Sequence, residues 1–276
     1  MDIEFTKMHG LGNDFVVLDG MLTNIRLTPD QVRAIAHRRL GIGCDQVLLL
    51  ERAPHADANA TFRIFNADGN EVEQCGNGAR CVADFLRRHG RMHDNAVTLH
   101  TAAGPVRVEH NGGNNYRANI GVPDFEPVRI PLRVPARRKT YQIDLPAGSL
   151  EFIALSLGNP HAVFPVEDIV RAPVEPVGAA LQAHDLFPRG VNAGFMQIED
   201  RRHIRLRVYE RGAGETLACG SGACAAIVAG RMRGDLDEDV EVELPGGRLQ
   251  ISWAGEGEPV WMSGPAVTVY EGRISL

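Results

Sequence analysis

Gln74-Cys75-Gly76-Asn77-Gly78-Ala79-Arg80-Cys81 is written into this chain twice, for Ala218-Cys219-Gly220-Ser221-Gly222-Ala223-Cys224 repeats its Cys-Gly-x-Gly-Ala pattern 144 residues later. In each copy a thiol ends a polar loop, two glycines follow, and a helical stretch begins. A thiol placed there sits beside the positive end of a helix dipole, near N–H groups that have no acceptor inside the helix. Such surroundings lower a cysteine pKa from about 8.5 and make thiolate available near neutral pH. One such thiol points to a nucleophile or a redox centre. Two matched ones point to a substrate held between them.

The repeat extends outward from the two loops. Ser156-Leu157-Gly158-Asn159-Pro160-His161 matches Leu11-Gly12-Asn13 at a spacing of 146. Strands over 3–5 and 15–18 flank a glycine-rich turn, and strands over 46–50 and 61–65 follow. The last of these ends in the turn Asn66-Ala67-Asp68-Gly69-Asn70, which delivers the chain to Cys75. In the second half, a strand over 204–209 leads through Glu210-Arg211-Gly212-Ala213-Gly214-Glu215 to Cys219. A helix is expected over 29–40, with Thr28 as N-cap, Pro29 at N1, Gln31 completing a capping box and Gly41 as the stop. A helix over 174–183 takes its place in the second half. The first cysteine loop runs into a helix over 78–88 with Gly90 beyond it. The second runs into 224–229, which is apolar on every side and therefore expected to be buried on every side. Strands over 97–100, 106–109 and 116–120 are matched by strands over 240–244 and 249–253, a meander in both halves. The Pro- and Arg-rich stretch 123–146 reads as the boundary. The fold class is α/β (α+β): two pseudo-symmetric lobes, each a curved, mainly antiparallel sheet wrapped around a central helix.

Composition narrows the function. A net charge of -6 offers no basic footprint for nucleic acid. No apolar run approaches the roughly 20 residues of a membrane span, so no membrane partner is expected. The start Met1-Asp2-Ile3-Glu4-Phe5-Thr6-Lys7 lacks a signal peptide's basic n-region and apolar core, which points to a cytoplasmic, reducing location. The five cysteines are then thiols and not a disulfide framework. Cys81 and Cys224 fall inside helices and read as structural, and Cys44 as a packed loop residue. No C-x₂-C pair occurs, so no zinc site is expected. Each Gly-x-Gly lacks the third glycine of a dinucleotide fingerprint, so no nucleotide cofactor is expected either.

Two thiols facing one small molecule suit the inversion of a carbon stereocentre. One, as thiolate, takes a proton while the other, as thiol, delivers one to the opposite face. Neighbouring like charges favour that mixed state, because the first ionisation disfavours the second. The carbanion beside a carboxylate needs positive potential, which the N–H groups of Gly76, Asn77, Gly220 and Ser221 supply from two helix ends. His161, in the Asn159-Pro160-His161 turn, reads either as a core histidine or as a group tuning a thiol. Glu210 and Arg211 stand opposite Asn66 in the repeat, which favours the cleft over a surface ion pair.

Taken together, Met8-His9-Gly10-Leu11-Gly12-Asn13-Asp14-Phe15, Phe65-Asn66-Ala67-Asp68-Gly69, the two cysteine loops, Gly158-Asn159-Pro160-His161 and Tyr209-Glu210-Arg211-Gly212-Ala213-Gly214-Glu215-Thr216 resemble the diaminopimelate epimerase family. The resemblance runs from about Lys7 to the C-terminus. It implies a cofactor-independent epimerase that interconverts LL- and meso-2,6-diaminopimelate in lysine and peptidoglycan precursor synthesis. It makes Cys75 and Cys219 the acid/base pair and gives the α-carboxylate to Gly76, Asn77, Gly220 and Ser221. Asn13, Gln46, Asn66, Asn159, Asn192, Glu210 and Arg211 line the rest of the substrate site, and His161 and Glu210 tune the thiols. Tyr270 falls at a homodimer contact. The last strand, after about Gly264, returns to the first lobe, so residues 1–119 with 265–276 carry Cys75 and residues 120–264 carry Cys219. A related two-cysteine racemase acting on proline or hydroxyproline would use the same thiols without needing Glu210 and Arg211, and a non-catalytic thiol switch is the reading from another class.

Overall fold

The computed structural model describes residues 2–53, 58–145 and 148–275; Met1, residues 54–57, Pro146, Ala147 and Leu276 lie outside it. In chain order the elements of the first repeat are β1 (Asp2–Gly10), β2 (Asn13–Asp19), α1 (Pro29–Ala36), β3 (Gln46–Glu51), β4 (Ala60–Asn66), β5 (Glu71–Val72), α2 (Gly76–Arg88), β6 (Ala96–Thr101), β7 (Gly104–His110) and β8 (Asn115–Gly121). After β9 (Tyr141–Leu145) the second repeat runs β10 (Gly148–Ser156), β11 (Pro160–Pro165), α3 (Val174–Gln182), β12 (Asn192–Asp200), β13 (His203–Glu210), β14 (Gly214–Thr216), α4 (Gly220–Arg233), β15 (Asp239–Leu244), β16 (Gly247–Ser252) and β17 (Val260–Pro265). The strand β18 (Val267–Ser275) closes the chain. Two compact units result, Met1–Asn119 with Ser263–Leu276, and Ile120–Met262.

Within each unit the wiring is the same. β1 and β2 pair antiparallel, β2 and β3 parallel across α1, β3 and β4 antiparallel, and β4 and β6 parallel across α2. β10 to β15 reproduce these four pairings one by one, with α3 and α4 as the crossovers. A parallel pair needs such a long return, so the helices are what allow a mainly antiparallel sheet to contain parallel joints. Burial follows the layers. β3 is buried on both faces over Val47–Leu50, because α1 covers one face and α2 the other. Val47 and Leu49 join Val32 and Ile35 of α1 in one core cluster, whereas Leu48 approaches Gly78 of α2.

The expected helix over 29–40 ends at Ala36. Its capping box is in place, with Gln31 N–H donating to Thr28 Oγ1 at 3.3 Å and Thr28 N–H to Gln31 Oε1 at 3.0 Å. His37 is already extended, and its Nδ1 accepts from the N–H groups of Arg39 and Leu40. The chain then folds back so that Ile42 and Gly43 both donate to the Ile35 carbonyl. Gly41 permits this return and does not stop the helix: a Cβ there would stand 1.9 Å from the Ala34 carbonyl oxygen. The second helix begins two residues earlier than expected, since Cys75 itself is its N-cap. At its far end Gly90 (φ 67) donates to Arg87 and Arg91 to Leu86, the paired bonds of a Schellman stop. α4 is buried from Gly222 through Gly230, as an all-apolar helix requires.

The Pro- and Arg-rich stretch 123–145 begins just past the Asn119/Ile120 division between the units. The second unit takes it in, with Ile130, Leu132, Tyr141 and Ile143 buried in one cluster beside Phe152, Phe164 and Phe187. Its Pro and Arg residues sit between core anchors spaced too irregularly to show a period.

One close approach fixes α3 against β13. A Cβ on Gly178 would meet the Tyr209 ring at 2.2 Å. Gly178→Ala is therefore expected to shift the urea unfolding midpoint down by the equivalent of about 1–3 kcal/mol, the usual cost of overpacking. An unchanged midpoint would show that Tyr209 is free to move aside.

Candidate active site

Strand alternation decides which side chains meet. On β3 and β4 the residues facing α2 are Leu48 and Phe62, whose side chains line Gly78. Stepping by two along the strands puts Gln46 and Asn66 on that same face, and these two are partners in register. Phe15 pairs with Gln46 across the parallel joint, so Asn13, two residues before it, belongs to the same face at the strand end. The second unit repeats this. Val208 lines Gly222 of α4, so Glu210 shares its face, and His161 is the register partner of Asn192. Asn13, Phe15, Gln46 and Asn66 are thus the counterparts of Asn159, His161, Asn192 and Glu210.

In the first unit Cys75 is a half-buried N-cap whose Sγ accepts from the Gly78 N–H at 3.3 Å. Gly76 and Asn77 open the helix, where N–H groups have no intrahelical acceptor. The second glycine of the motif has a steric reason: a Cβ on Gly78 would stand 3.3 Å from the Cys75 sulfur. The buried Asn77 side chain donates to Asn13 Oδ1 at 3.3 Å and accepts from Arg80 at 2.7 Å. Gln46 Nε2 donates to Asn66 Oδ1 at 2.9 Å, and Gln46 Oε1 is buried without a hydrogen-bond partner among the described residues. Behind these residues lies an ionic cluster. Lys7 bonds Asp14 at 2.6 Å, and Arg38 bonds both Asp14 oxygens, at 3.0 and 2.9 Å, and Asp45 at 2.7 Å. Burial by itself would raise the Asp14 carboxyl, but the hydrogen bonds from Arg38 and Lys7 outweigh it and hold the group at about 2.

In the second unit Cys219 is the N-cap of α4 and is buried. A Cβ on Gly222 would stand 3.1 Å from its sulfur. Ser221 Oγ lies 3.8 Å from Cys219 Sγ and accepts from Asn159 Nδ2 at 3.2 Å, while Asn159 Oδ1 lies 2.9 Å from His161 Nε2. Burial, aided by the Arg211 guanidinium, lowers the His161 pKa to about 3. The ring is neutral at physiological pH, and with a carbonyl oxygen opposite it Nε2 carries the proton. His161 reaches Cys219 through Asn159 and Ser221. Asn192 accepts the Arg211 N–H at 2.9 Å and donates to the Pro160 carbonyl at 3.1 Å, and the Arg211 guanidinium bonds the Arg189 carbonyl at 3.3 Å. Glu210 accepts from Thr216 and bonds the Cys219 thiol.

At Cys219 the electrostatics run against the simple helix-end expectation. Burial pushes the thiol well above the usual cysteine range, and the Glu210 carboxylate adds to this through its charge and its hydrogen bond. The Gly222 N–H and the Ser221 hydroxyl oppose the shift without overcoming it. Cys81 and Cys224 are wholly buried within α2 and α4, and burial pushes the Cys44 thiol up to about 12. Tyr270 is 46% exposed on β18, edge-on to Phe5 and the register partner of Lys7.

A sequence model described as diaminopimelate epimerase matches residues 5–126 and 153–269. A diaminopimelate epimerase from Chromobacterium violaceum is 53% identical over 276 residues and covers all of both chains. The chain belongs to the diaminopimelate epimerase family. It is an isomerase with the mixed α/β fold of that family. Among solved structures, a hydroxyproline epimerase from Agrobacterium vitis superposes with a TM-score of 0.74 at 19% identity, over 100% of this chain and 93% of that one. A probable proline racemase from Agrobacterium radiobacter superposes with a TM-score of 0.72 at 21% identity, over 99% and 93%. At such identities the likeness is one of fold.

Three features of this diaminopimelate epimerase family site escape the sequence reading. Arg80 belongs to the first cysteine motif, yet its buried guanidinium on Asn77 is a role that only packing reveals. Thr216 lies in the second motif without a reason until Glu210 is seen to accept its hydroxyl proton. Asp14 and Asp45 stand next to Asn13 and Gln46 in the chain, and only the fold shows Arg38 bonding both carboxylates.

The Glu210–Cys219 contact is open to direct titration. Glu210→Gln removes the charge and the strong acceptor, so the Cys219 thiol is expected to titrate at lower pH. Iodoacetamide labelling followed by peptide mass mapping should then show Cys219 alkylating at lower pH in the variant. In the unaltered protein at neutral pH, Cys75 should label ahead of Cys219. A Cys219 profile unmoved by Glu210→Gln would remove Glu210 from the tuning of that thiol.

Proposed function

We propose that this chain interconverts LL- and meso-2,6-diaminopimelate without a cofactor, in lysine and peptidoglycan precursor synthesis, with Cys75 and Cys219 as the acid/base pair. The observation that carries the reading is the matched pair of thiols, each capping a helix and each given room by a glycine three residues on, in a chain 53% identical to a diaminopimelate epimerase.

The chemistry follows from the two environments. Cys219, buried beside Glu210, is the resting acid, and Cys75 is the resting base. The Cys75 thiolate removes the α-proton, the electron pair moves into the α-carboxylate, and Cys219 delivers its proton to the opposite face. The products are the inverted amino acid, a Cys75 thiol and a Cys219 thiolate, the state required for the reverse reaction. The N–H groups of Gly76, Asn77, Gly220 and Ser221 hold the carboxylate as its charge grows. His161 and Glu210 tune Cys219, the former through Asn159 and Ser221. Glu210 and Arg211 take the ammonium and carboxylate of the distal end, since a guanidinium binds a carboxylate bidentately. Asn13, Gln46, Asn66, Asn159 and Asn192 supply the neutral contacts. The protein is proposed to work in the cytoplasm as a homodimer, with Tyr270 of β18 at the contact. No helix among the described residues is long and apolar enough to cross a membrane. A proline-type racemase remains the competing reading, and α-proton exchange on a panel of amino acids separates the two.

Two experiments test the mechanism. Cys75→Ala and Cys219→Ala are each expected to lower epimerisation by at least about 10²–10⁴-fold, the usual contribution of one positioned acid or base. Near-native turnover in either variant would end the two-thiol assignment. In D₂O, starting from the LL isomer, the first meso product should carry deuterium at the inverted carbon while early residual substrate stays largely unlabelled. The delivering thiol has exchanged with solvent, and the accepting thiol can return only the proton it took. Substantial protium retained in the product, read by initial-rate mass spectrometry, would mean that one base serves both faces.

A further inference from the structure

We propose that Asp45 is a positioning residue of the reaction, fixing together with Arg38 which way round the Asn13 carboxamide lies. The inference rests on the reading of Asn13 as a substrate-binding side chain.

A primary carboxamide has two orientations of nearly equal shape, so something must choose between them. Here Asp45 Oδ2 takes a hydrogen bond from Asn13 Nδ2 at 3.0 Å and another from the Asp14 N–H at 3.1 Å. An ionised carboxylate has no donor, so only the nitrogen end of Asn13 fits against it. The oxygen end must then face Asn77, whose Nδ2 donates to it at 3.3 Å. Asn77 is itself fixed, because its own oxygen accepts from Arg80, and a guanidinium can only donate. The order Arg38 to Asp45, Asn13 to Asp45, Asn77 to Asn13 and Arg80 to Asn77 therefore leaves no link free to reverse. Asn13 keeps one N–H and one lone pair for the substrate, at defined places.

Asp45 is anchored for this task. Arg38 bridges it to Asp14, which Lys7 also holds, and the Asp45 N–H returns a bond to Asp14 Oδ1 at 2.9 Å. Its carbonyl accepts from the Ala67 N–H at 3.2 Å, and Gln46 is its neighbour in the chain. Of the proposed binding side chains, the Asp45 carboxylate holds Asn13 directly. The second unit shows what happens without it. The positions matching Asp14 and Asp45 are Pro160 and Val191, and there Asn159 presents nitrogen, not oxygen, to the helix residue Ser221. Repeat-related asparagines are held in opposite senses: Asp45 takes the nitrogen of Asn13, whereas His161 faces the oxygen of Asn159.

The test uses steady-state kinetics on the full chain. Asp45→Asn offers a donor as well as an acceptor and so releases the orientation. It is expected to raise KM for diaminopimelate about tenfold, as losing a charged hydrogen bond does, with kcat within about threefold. In the Asn13→Ala background the same change should alter KM less than about twofold, since Asp45 acts through Asn13. A merely structural role would add in full. A second background covers the case where Asn13→Ala is too weak to assay. Asn13→Asp sets two carboxylates against each other, and adding Asp45→Asn restores a donor between them, so the double variant should have a KM about tenfold below that of Asn13→Asp alone. A native KM in Asp45→Asn, additive effects, or no rescue in the swap would each overturn the proposal. If the unaltered protein does not turn over diaminopimelate, the proposed substrate is wrong, and the same cycle is read on the amino acid it does epimerise.

Discussion

A thiol at the end of a buried helix, with a glycine three residues further on, is the arrangement on which both units depend. The N-cap position places Cys75 and Cys219 where first-turn N–H groups gather. The glycine keeps the next turn from pressing on the sulfur, since a Cβ at Gly78 or Gly222 would sit 3.3 or 3.1 Å from it. Phe62 and Leu48 in one unit, and Val208 in the other, close on the same glycine from the sheet. A side chain there would displace the helix end from the sheet and the thiol from both. The site and the packing are one constraint.

On that shared frame the two repeats carry different chemistry. Asn66 and Glu210 occupy matching strand ends, as do Phe15 and His161, and Asn77 and Ser221 match on the helices. The first unit leaves its thiol half-buried, while the second buries its thiol and adds a carboxylate. Duplication supplies two similar places for a thiol, and divergence makes them unequal. The proposed acid/base pair, with one member resting protonated, benefits from that inequality.

The repeats are also less self-contained than their sequences imply. β18 pairs with β1 in the first unit, and β9 pairs with β10 in the second. The strand that follows one repeat therefore completes the sheet of the other. Phe5 shows the fit at this joint, for a Cβ on Gly272 would meet its ring at 2.7 Å.

Much was legible along the chain because it depends on neighbours in sequence. The capping box at Thr28 to Gln31, the alternation of buried residues in β6 and β15, the apolar run of α4 and the doubled cysteine loop each concern residues a few positions apart. Short-range geometry follows from short-range composition. What the chain alone did not reveal involves partners far apart in it. The end of α1 at Ala36 was set by the return of Ile42 and Gly43 to Ile35, not by Gly41 as a stop. Within the stretch 123–145, Tyr141 and Ile143 became core because they found Phe152 and Phe164. Asp45 took on meaning only when folding set it against Asn13 and Arg38. The thiol of Cys219 followed burial and Glu210 and not its helix dipole, because desolvation acts through the whole surroundings of a group, and only the tertiary structure decides those.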